Sequence, residues 1–353
     1  MARPNRSGTI DQALLVLVDD HPDELIRAVA GQLGLSRAAV GARARVLVEA
    51  GFLERTGTTR PTYRKGPHRR ASFHYVREAL QEDQVWIRDV APNLEGLPRN
   101  ILDICHHGIT EMVNNAVDHS EGTSVRVDVE RSGDRINLAI VDNGMGIFRK
   151  ITRALDLPDE RLALLELSKG KLTTDPRRHS GEGVFFTSRM FDRFEIVSAG
   201  LVFDHDAIEP EDFLVDFDEE EDAQGTVVRM CIGTGSTRTA KQVFDEFSSG
   251  PDEYAFAKTV VPVRLARVGD ENLISRSQAK RLLQRVDRFR YVMMDFEGIE
   301  NIGQAFADEI FRVFAISHPE IELVAIHAAP EVQQMIRRAE VLRDEGADQL
   351  PPP

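Results

Sequence analysis

The chemistry-bearing residues concentrate first in "EMVNNAVDHS", Glu111 to Ser120. On a helix turning ~100° per residue, Glu111, Asn115 and Asp118 share one stripe, within roughly 60° of arc. Ile109, Met112, Val113 and Ala116 fall roughly opposite and are expected to bury against a sheet. A carboxylate with an amide one turn later can serve a single phosphate-bearing ligand. The amide oxygen ligates Mg²⁺, and the carboxylate orients or deprotonates a water near the terminal phosphate. Alone, the pattern carries little weight, because E-x-x-x-N on a helix is more often a solvated face.

Three further motifs follow in a fixed order. "VDNGMGI" puts Asp142, Gly144 and Gly146 at a strand end, where a carboxylate can accept a hydrogen bond from an exocyclic amine and glycines let backbone approach a purine ring. "SGEGVFF" sets Gly181 and Gly183 directly before a helix, whose first N–H groups can meet phosphates. "GTVV" opens a strand with Thr226, whose hydroxyl can reach the same base site.

The elements that must position these residues run from about Phe73 to Gly235. They read as the helix "RNILDICHHGITEMVNNAVDHS", strands "SVRVDVERSGD" and "RINLAIVDNG", a polar connection containing the helix "DERLALLELSKG", the helix "EGVFFTSRMF", then strands "FEIVSAGLVF", "FLVDF" and "GTVVRMCIG". Helices before and between strands that can pair as hairpins imply an α/β sandwich with a mostly antiparallel sheet.

In this order the motifs resemble the Bergerat ATP-binding fold of the GHKL superfamily, with "EMVNNAVDHS" similar to its N box, "DNGMG" to G1, "GEG" to G2 and "GT" to its late threonine motif. The resemblance implies ATP and Mg²⁺ as ligands. It makes Glu111 the general base, Asn115 the Mg²⁺ ligand, Asp142 with Thr226 the adenine anchor, Gly144 and Gly146 the shapers of the pocket, and Gly181 and Gly183 phosphate contacts. It also makes residues 148–180 an ATP lid, from which Lys169 or Lys171 reaches the phosphates. Two features depart from the family: "GEGVFF" is shorter in glycine than G-x-G-x-G, and no phosphoacceptor-histidine helix precedes the fold. His106 and His107 are read as packing or surface residues. Sensor histidine kinases commonly carry an amide at the position of Glu111, whereas ATPases and anti-sigma-factor serine kinases carry a glutamate. The expected activity is slow ATP hydrolysis acting as a switch. The alternatives are a serine/threonine kinase of the anti-sigma type, acting on a separate STAS partner, and a module that holds ATP without cleaving it.

On the N-terminal side, "TIDQALLVLVDDH" and "PDELIRAVAGQL" read as helices, Ser36 as the cap of a third, and "GFLERTGTTRPTYRKG" as two strands around Gly57. This resembles a winged helix-turn-helix presenting Arg37, Arg43 and Arg45 on its second motif helix and Arg60, Arg64 and Lys65 on the wing, which implies double-stranded DNA as a partner. Docking to a protein is the competing reading. On the C-terminal side, strands "AKTVVPVRL", "YVMMDFEG" and "IELVAIHA" alternate with helices, favouring a small parallel or mixed sheet. "YVMMDFEGIENIGQAFADEIFRVF" resembles a STAS-like domain of unknown function, but Asn301-Ile302-Gly303-Gln304 carries no hydroxyl where anti-sigma antagonists place their serine. A docking or regulatory role toward a protein partner is expected, against a structural domain with no ligand.

The 353 residues, 42% hydrophobic and 29% charged, suit a multidomain α/β protein. The expected domains are 1–72, a winged helix; 73–250, the ATP-binding domain; and 251–353, the STAS-like domain. Net charge is −14, yet residues 1–80 carry 13 Lys and Arg against 8 Asp and Glu, so a basic head joins an acidic body. Between Asp204 and Asp222 lie eleven acids, read as solvated loop rather than a cation site. No apolar run reaches a membrane span and no signal peptide is evident, so a cytoplasmic protein is expected, with Cys105 and Cys231 as reduced core residues and a homodimer left open.

Overall fold

The computed structural model describes residues 6–172, 181–206, 225–250, 253–267 and 272–347. The strand read in "FLVDF", the acidic run, part of the connection before Gly181 and the "DQLPPP" tail lie outside them.

Three helices open the chain: α1 (Arg6–Leu17), α2 (Leu25–Leu33) and α3 (Arg37–Glu49). The break between α2 and α3 follows from Gly34, left-handed at φ 63°, and Ser36, whose Oγ accepts the Ala39 N–H at 3.2 Å. An antiparallel hairpin follows, β1 (Leu53–Thr56) with β2 (Thr62–Lys65). This unit has its own core, built on Leu14, Leu25, Val29, Val40, Ala44 and Leu53.

The centre is a six-stranded antiparallel sheet in the order β3-β4-β5-β8-β6-β7, from β3 (Arg69–Val76), β4 (Ser124–Arg131), β5 (Arg135–Asp142), β6 (Arg193–Ser198), β7 (Leu201–Asp206) and β8 (Val227–Gly233). The edge strand β3, which pairs with β4, and the helical turns over residues 82–94 were not anticipated. One face is apolar, since Val125, Val127 and Val129 are buried between less buried neighbours, and Val127 and Val129 pair with Ile140 and Leu138 across the strands.

Against that face lies α4 (Arg99–His119). Its buried positions, Ile101, Ile104, Cys105, Gly108, Ile109, Met112, Val113 and Ala116, repeat at three- and four-residue steps. The helices α5 (Ile147–Ala154), α6 (Arg161–Lys169), α7 (Gly183–Met190) and α8 (Ala240–Phe247) complete the layer. A short hairpin, β9 (Ser248–Gly250) with β10 (Glu253–Phe256), leads onward.

The last unit is a three-stranded parallel sheet, β11 (Lys258–Pro262), β12 (Tyr291–Asp295) and β13 (Glu322–Ile326), in that order. Its helices are α9 (Arg276–Leu283), α10 (Gln304–Asp308, extended by helical turns to Ser317) and α11 (Pro330–Ala347). The expected long helix before β12 stops at Leu283, because Arg285 turns left-handed at φ 61°. The expected strand "AKTVVPVRL" likewise ends at Pro262, and residues 263–266 form a tight helical turn. The core runs continuously from the central sheet into this unit through Phe185, Phe186, Phe247, Phe256 and Phe289. Cys105 is buried, but Cys231 is only half-buried, on the outer face of β8, so its reading as a core residue is corrected. Among the described residues, no helix is long and apolar enough to cross a membrane.

Candidate functional site

A cavity of about 280 Å³ opens between α4, the end of β5, α5 and the start of α7. Glu111, Asn115, Asp142, Gly181, Gly183 and Thr226 all line it, so residues from a helix, a strand end, a glycine turn and a distant strand start converge. Its size is near the lower end for small-molecule pockets. A larger hollow, about 1250 Å³, lies over the outer face of the sheet. Some of its charges are paired, Arg229 on Glu195 at 2.6 Å and Arg126 on Asp128 at 3.1 Å, whereas the smaller cavity gathers polar groups of distinct chemistry.

Asp142 ends β5 facing inward and is buried, 7% exposed. Its Oδ1 accepts the Gly144 N–H at 2.8 Å, and its backbone N–H donates to the Thr226 carbonyl at 3.0 Å. Burial pushes its carboxyl above the ordinary range, opposed by hydrogen bonds from Gly144 and Thr226. The Thr226 Oγ1 accepts the Ile147 N–H at 3.0 Å, tying the first turn of α5 to the same corner.

The turn after Asp142 folds over the end of α4. Met145 N–H donates to Ser120 O at 2.9 Å, and the Asn143 amide oxygen accepts from Thr123 and Ser124 N–H at 2.8 and 3.0 Å. Gly144 is required by this closeness, because a Cβ there would lie 1.9 Å from the Ser120 carbonyl oxygen. Gly146, at φ 89°, caps the start of α5; neither of these glycines lines the cavity itself.

Glu111 and Asn115 face the cavity from α4, and both are half-buried. The Glu111 carboxylate lies against the first turn of α7, where a Cβ on Gly183 would come within 2.0 Å of its Oε2. Among the described residues, the Asn115 amide makes one long contact, Nδ2 to the Met112 sulfur at 4.0 Å. A carboxylate, an amide and a helix N-terminus at one end, with a buried acceptor at the other, is a donor set that fits a metal-bound polyphosphate attached to an amine-bearing base. Asp118, on the same stripe of α4, does not line the cavity; Asn114 and His119 do.

Two lysines depart from the sequence reading. Lys171 is turned away, donating to the Arg288 carbonyl at 2.8 Å and standing over the Phe289 ring at 4.7 Å. Lys169 is fully buried in an ion pair with Glu166 at 2.6 Å. Among the described residues, the cation that lines the cavity is Lys150 on α5, held by the His119 carbonyl at 2.7 Å and by Glu121 at 3.0 Å. It lies four residues after Gly146, one helical turn beyond the motif that sequence reasoning stopped at. His106 stacks on Trp86 at 4.7 Å, and His107 packs edge-on to Phe244 at 5.6 Å.

In the N-terminal unit Arg37, Arg45, Arg60 and Arg64 are exposed. Arg43 instead holds α3 to α1, its Nε donating to Asp11 Oδ1 at 2.9 Å. Lys65 pairs with Asp19 at 2.5 Å.

Two family models match the chain. Residues 72–202 match the histidine kinase-like ATPase domain, and residues 278–333 match the STAS-like domain of unknown function (DUF4325). No curated protein matches. The first match spans β3 to the start of β7 and so takes in the whole of α4, the turn after Asp142 and the start of α7; the second spans α9 to the start of α11. The chain therefore carries a GHKL-type, histidine-kinase-like ATPase domain followed by a STAS-like C-terminal domain.

Proposed function

We propose that this protein binds Mg-ATP in the cavity beside α4 and hydrolyses it slowly, as the switch of a regulator with a DNA-binding head. The observation that carries the reading is the convergence on one cavity of Glu111, Asn115 and Asp142, from the matched ATPase residues 72–202, with Thr226 from the strand that follows them. Asp142 would accept the adenine amine, supported by Thr226, with Gly144 and Gly146 shaping the corner from behind by letting the turn pack on Ser120 and Ser198. Asn115 would hold Mg²⁺, which neutralises phosphate charge when bound. Gly181 and Gly183 would present N–H groups to the phosphates, and Glu111 would accept a proton from the attacking water. Lys150 would add positive charge to the cavity, in the part assigned from sequence to Lys169 or Lys171.

The three helices and hairpin at the N-terminus are read as a winged helix; of the units expected at 1–72, 73–250 and 251–353, the first boundary moves ahead of Arg69, because β3 pairs with β4 in the central sheet, and the second falls inside the β9–β10 hairpin. Arg37, Arg45, Arg60 and Arg64 supply exposed charge for a DNA backbone, while Arg43 contributes by fixing α3. Incubation with ATP labelled in its γ-phosphate tests the activity. Free phosphate supports hydrolysis, label on a separate STAS protein supports the kinase alternative, and neither, with ATP retained, supports a holding module. Gel-shift binding that weakens steeply with salt and collapses in Arg37→Ala/Arg45→Ala tests the head; salt-insensitive binding would redirect it to a protein.

A further inference from the structure

The strip that leaves α6 is held by the C-terminal unit, and it ends in the cavity. Leu172 lines the cavity, and its N–H donates to the Gly181 carbonyl at 3.0 Å. The residues just before it are fastened to the turn between α9 and β12. Arg285 Nη2 donates to the Lys171 carbonyl at 2.6 Å, and Arg288 Nη1 donates to the same oxygen at 3.1 Å. Lys171 Nζ returns a bond to the Arg288 carbonyl at 2.8 Å. Deeper in, Lys169 Nζ donates to the Gln284 carbonyl at 2.9 Å, and Glu166 takes Lys169 on one oxygen and Arg285, at 3.6 Å, on the other. The Lys169 carbonyl accepts from Thr259 Oγ1 at 2.7 Å on β11.

The strip cannot shift alone. Glu166 and Lys169, 2% and 1% exposed, are paired with each other on α6, so moving them away from the turn costs the buried Lys169 Nζ its Gln284 acceptor and the second Glu166 oxygen its Arg285 contact. Between them and Leu172, Gly170 has φ 79°, and a Cβ there would lie 2.8 Å from the Phe256 ring and 2.9 Å from the Phe185 ring. Phe185 itself lines the cavity and contacts Phe256, 4.4 Å between ring centroids. One wall of the cavity is therefore continuous, through packed rings and buried charge, with the turn at residues 284–289.

We propose that this turn supports the nucleotide site from outside it: Arg285, with Arg288 beside it, is a positioning residue that sets Leu172 against Gly181, so nucleotide affinity and the state of the STAS-like unit are linked. The proposal rests on the nucleotide reading above. Linkage is reciprocal, so a protein that displaces residues 284–289 weakens nucleotide binding, and bound nucleotide resists that displacement by the same factor.

The test uses the full-length chain and Mg with a non-hydrolysable ATP analogue, read by calorimetry and by hydrogen exchange. The wild type is expected to bind saturably and to gain exchange protection at residues 284–289, which do not line the cavity. Arg285→Ala is expected to bind about tenfold more weakly. Arg285→Lys, keeping a cation but not the two-donor fork, is expected to fall between. Should Arg285→Ala lose its native circular dichroism, Arg288→Met, at an exposed position, carries the affinity arm and the wild-type exchange arm stands unaltered. A wild type that fails to bind overturns the nucleotide reading and this proposal together. A wild type that binds, with folded variants of equal affinity and no protection at 284–289, overturns this proposal alone.

Discussion

Gly183→Ala isolates Glu111 from nucleotide binding. A Cβ at position 183 would lie 2.0 Å from Glu111 Oε2 and 3.0 Å from its Cδ, where ordinary contact begins near 3.4 Å. The carboxylate must retreat by about 1.4 Å to restore an ordinary contact. The obstacle is the far end of a flexible side chain and position 183 has no left-handed φ, so the fold accepts alanine, which also has the better helix propensity, by up to ~1 kcal/mol. Misplacing a catalytic group by an ångström or so costs on the order of 100-fold, or about 2.7 kcal/mol of barrier. Single-turnover phosphate release should therefore slow by about 100-fold in Gly183→Ala, with affinity for the analogue within about threefold of the parent. A variant that releases phosphate at the parental rate with parental affinity would refute the assignment of Glu111 as the base. A variant that binds no nucleotide would place the contact at the phosphates instead.

Three further outcomes are expected. Burial raises the Asp142 carboxyl, and its ionised form is the better acceptor for an adenine amine, so affinity should fall with pH from above the ordinary carboxylate range and binding should release a proton there; calorimetry in buffers of different ionisation enthalpy measures it, and a flat profile to pH 4 contradicts it. Gly144→Ala places a Cβ 1.9 Å from the Ser120 backbone oxygen, which cannot yield as a side chain does, and should lower the melting temperature as well as binding; an unchanged melting temperature contradicts the packing. Burial, helped by His106, holds His107 down to about 4, against about 6.5 in the unfolded chain, so its contribution to stability is complete above about pH 6.5 and is lost as pH falls toward 4; denaturant titrations should show His107→Phe flattening that slope.

What the sequence made legible follows from range. The burial of α4 is a local period, and Ile101 to Ala116 state it without help from the rest of the chain. The glycine turns are local too, because close backbone approach admits few other residues, and their fixed order was enough to bring Asp142 and Thr226 to one corner. The same reasoning failed where a side chain answers to distant partners. Lys171 sits in a polar connection, and only the fold reveals that its nearest acceptor is 117 residues away on Arg288. Arg43 looked like its neighbours until Asp11, 32 residues earlier, engaged it. Cys231 is a different kind of miss. Val228, Met230 and Ile232 alternate inward, so the signal that turns Cys231 outward was present in the strand and was not used. The strand β3 was obscured because its arginines share the charge of the hairpin before it.

The most direct test is a calorimetric titration of a non-hydrolysable ATP analogue into the full-length chain, with and without Mg²⁺, repeated on Asp142→Asn. Saturable, Mg-strengthened binding at one site per chain, lost when the buried acceptor becomes an amide, is the predicted result. Absence of binding to the parent, or binding equally strong in Asp142→Asn, would contradict a nucleotide site in this cavity.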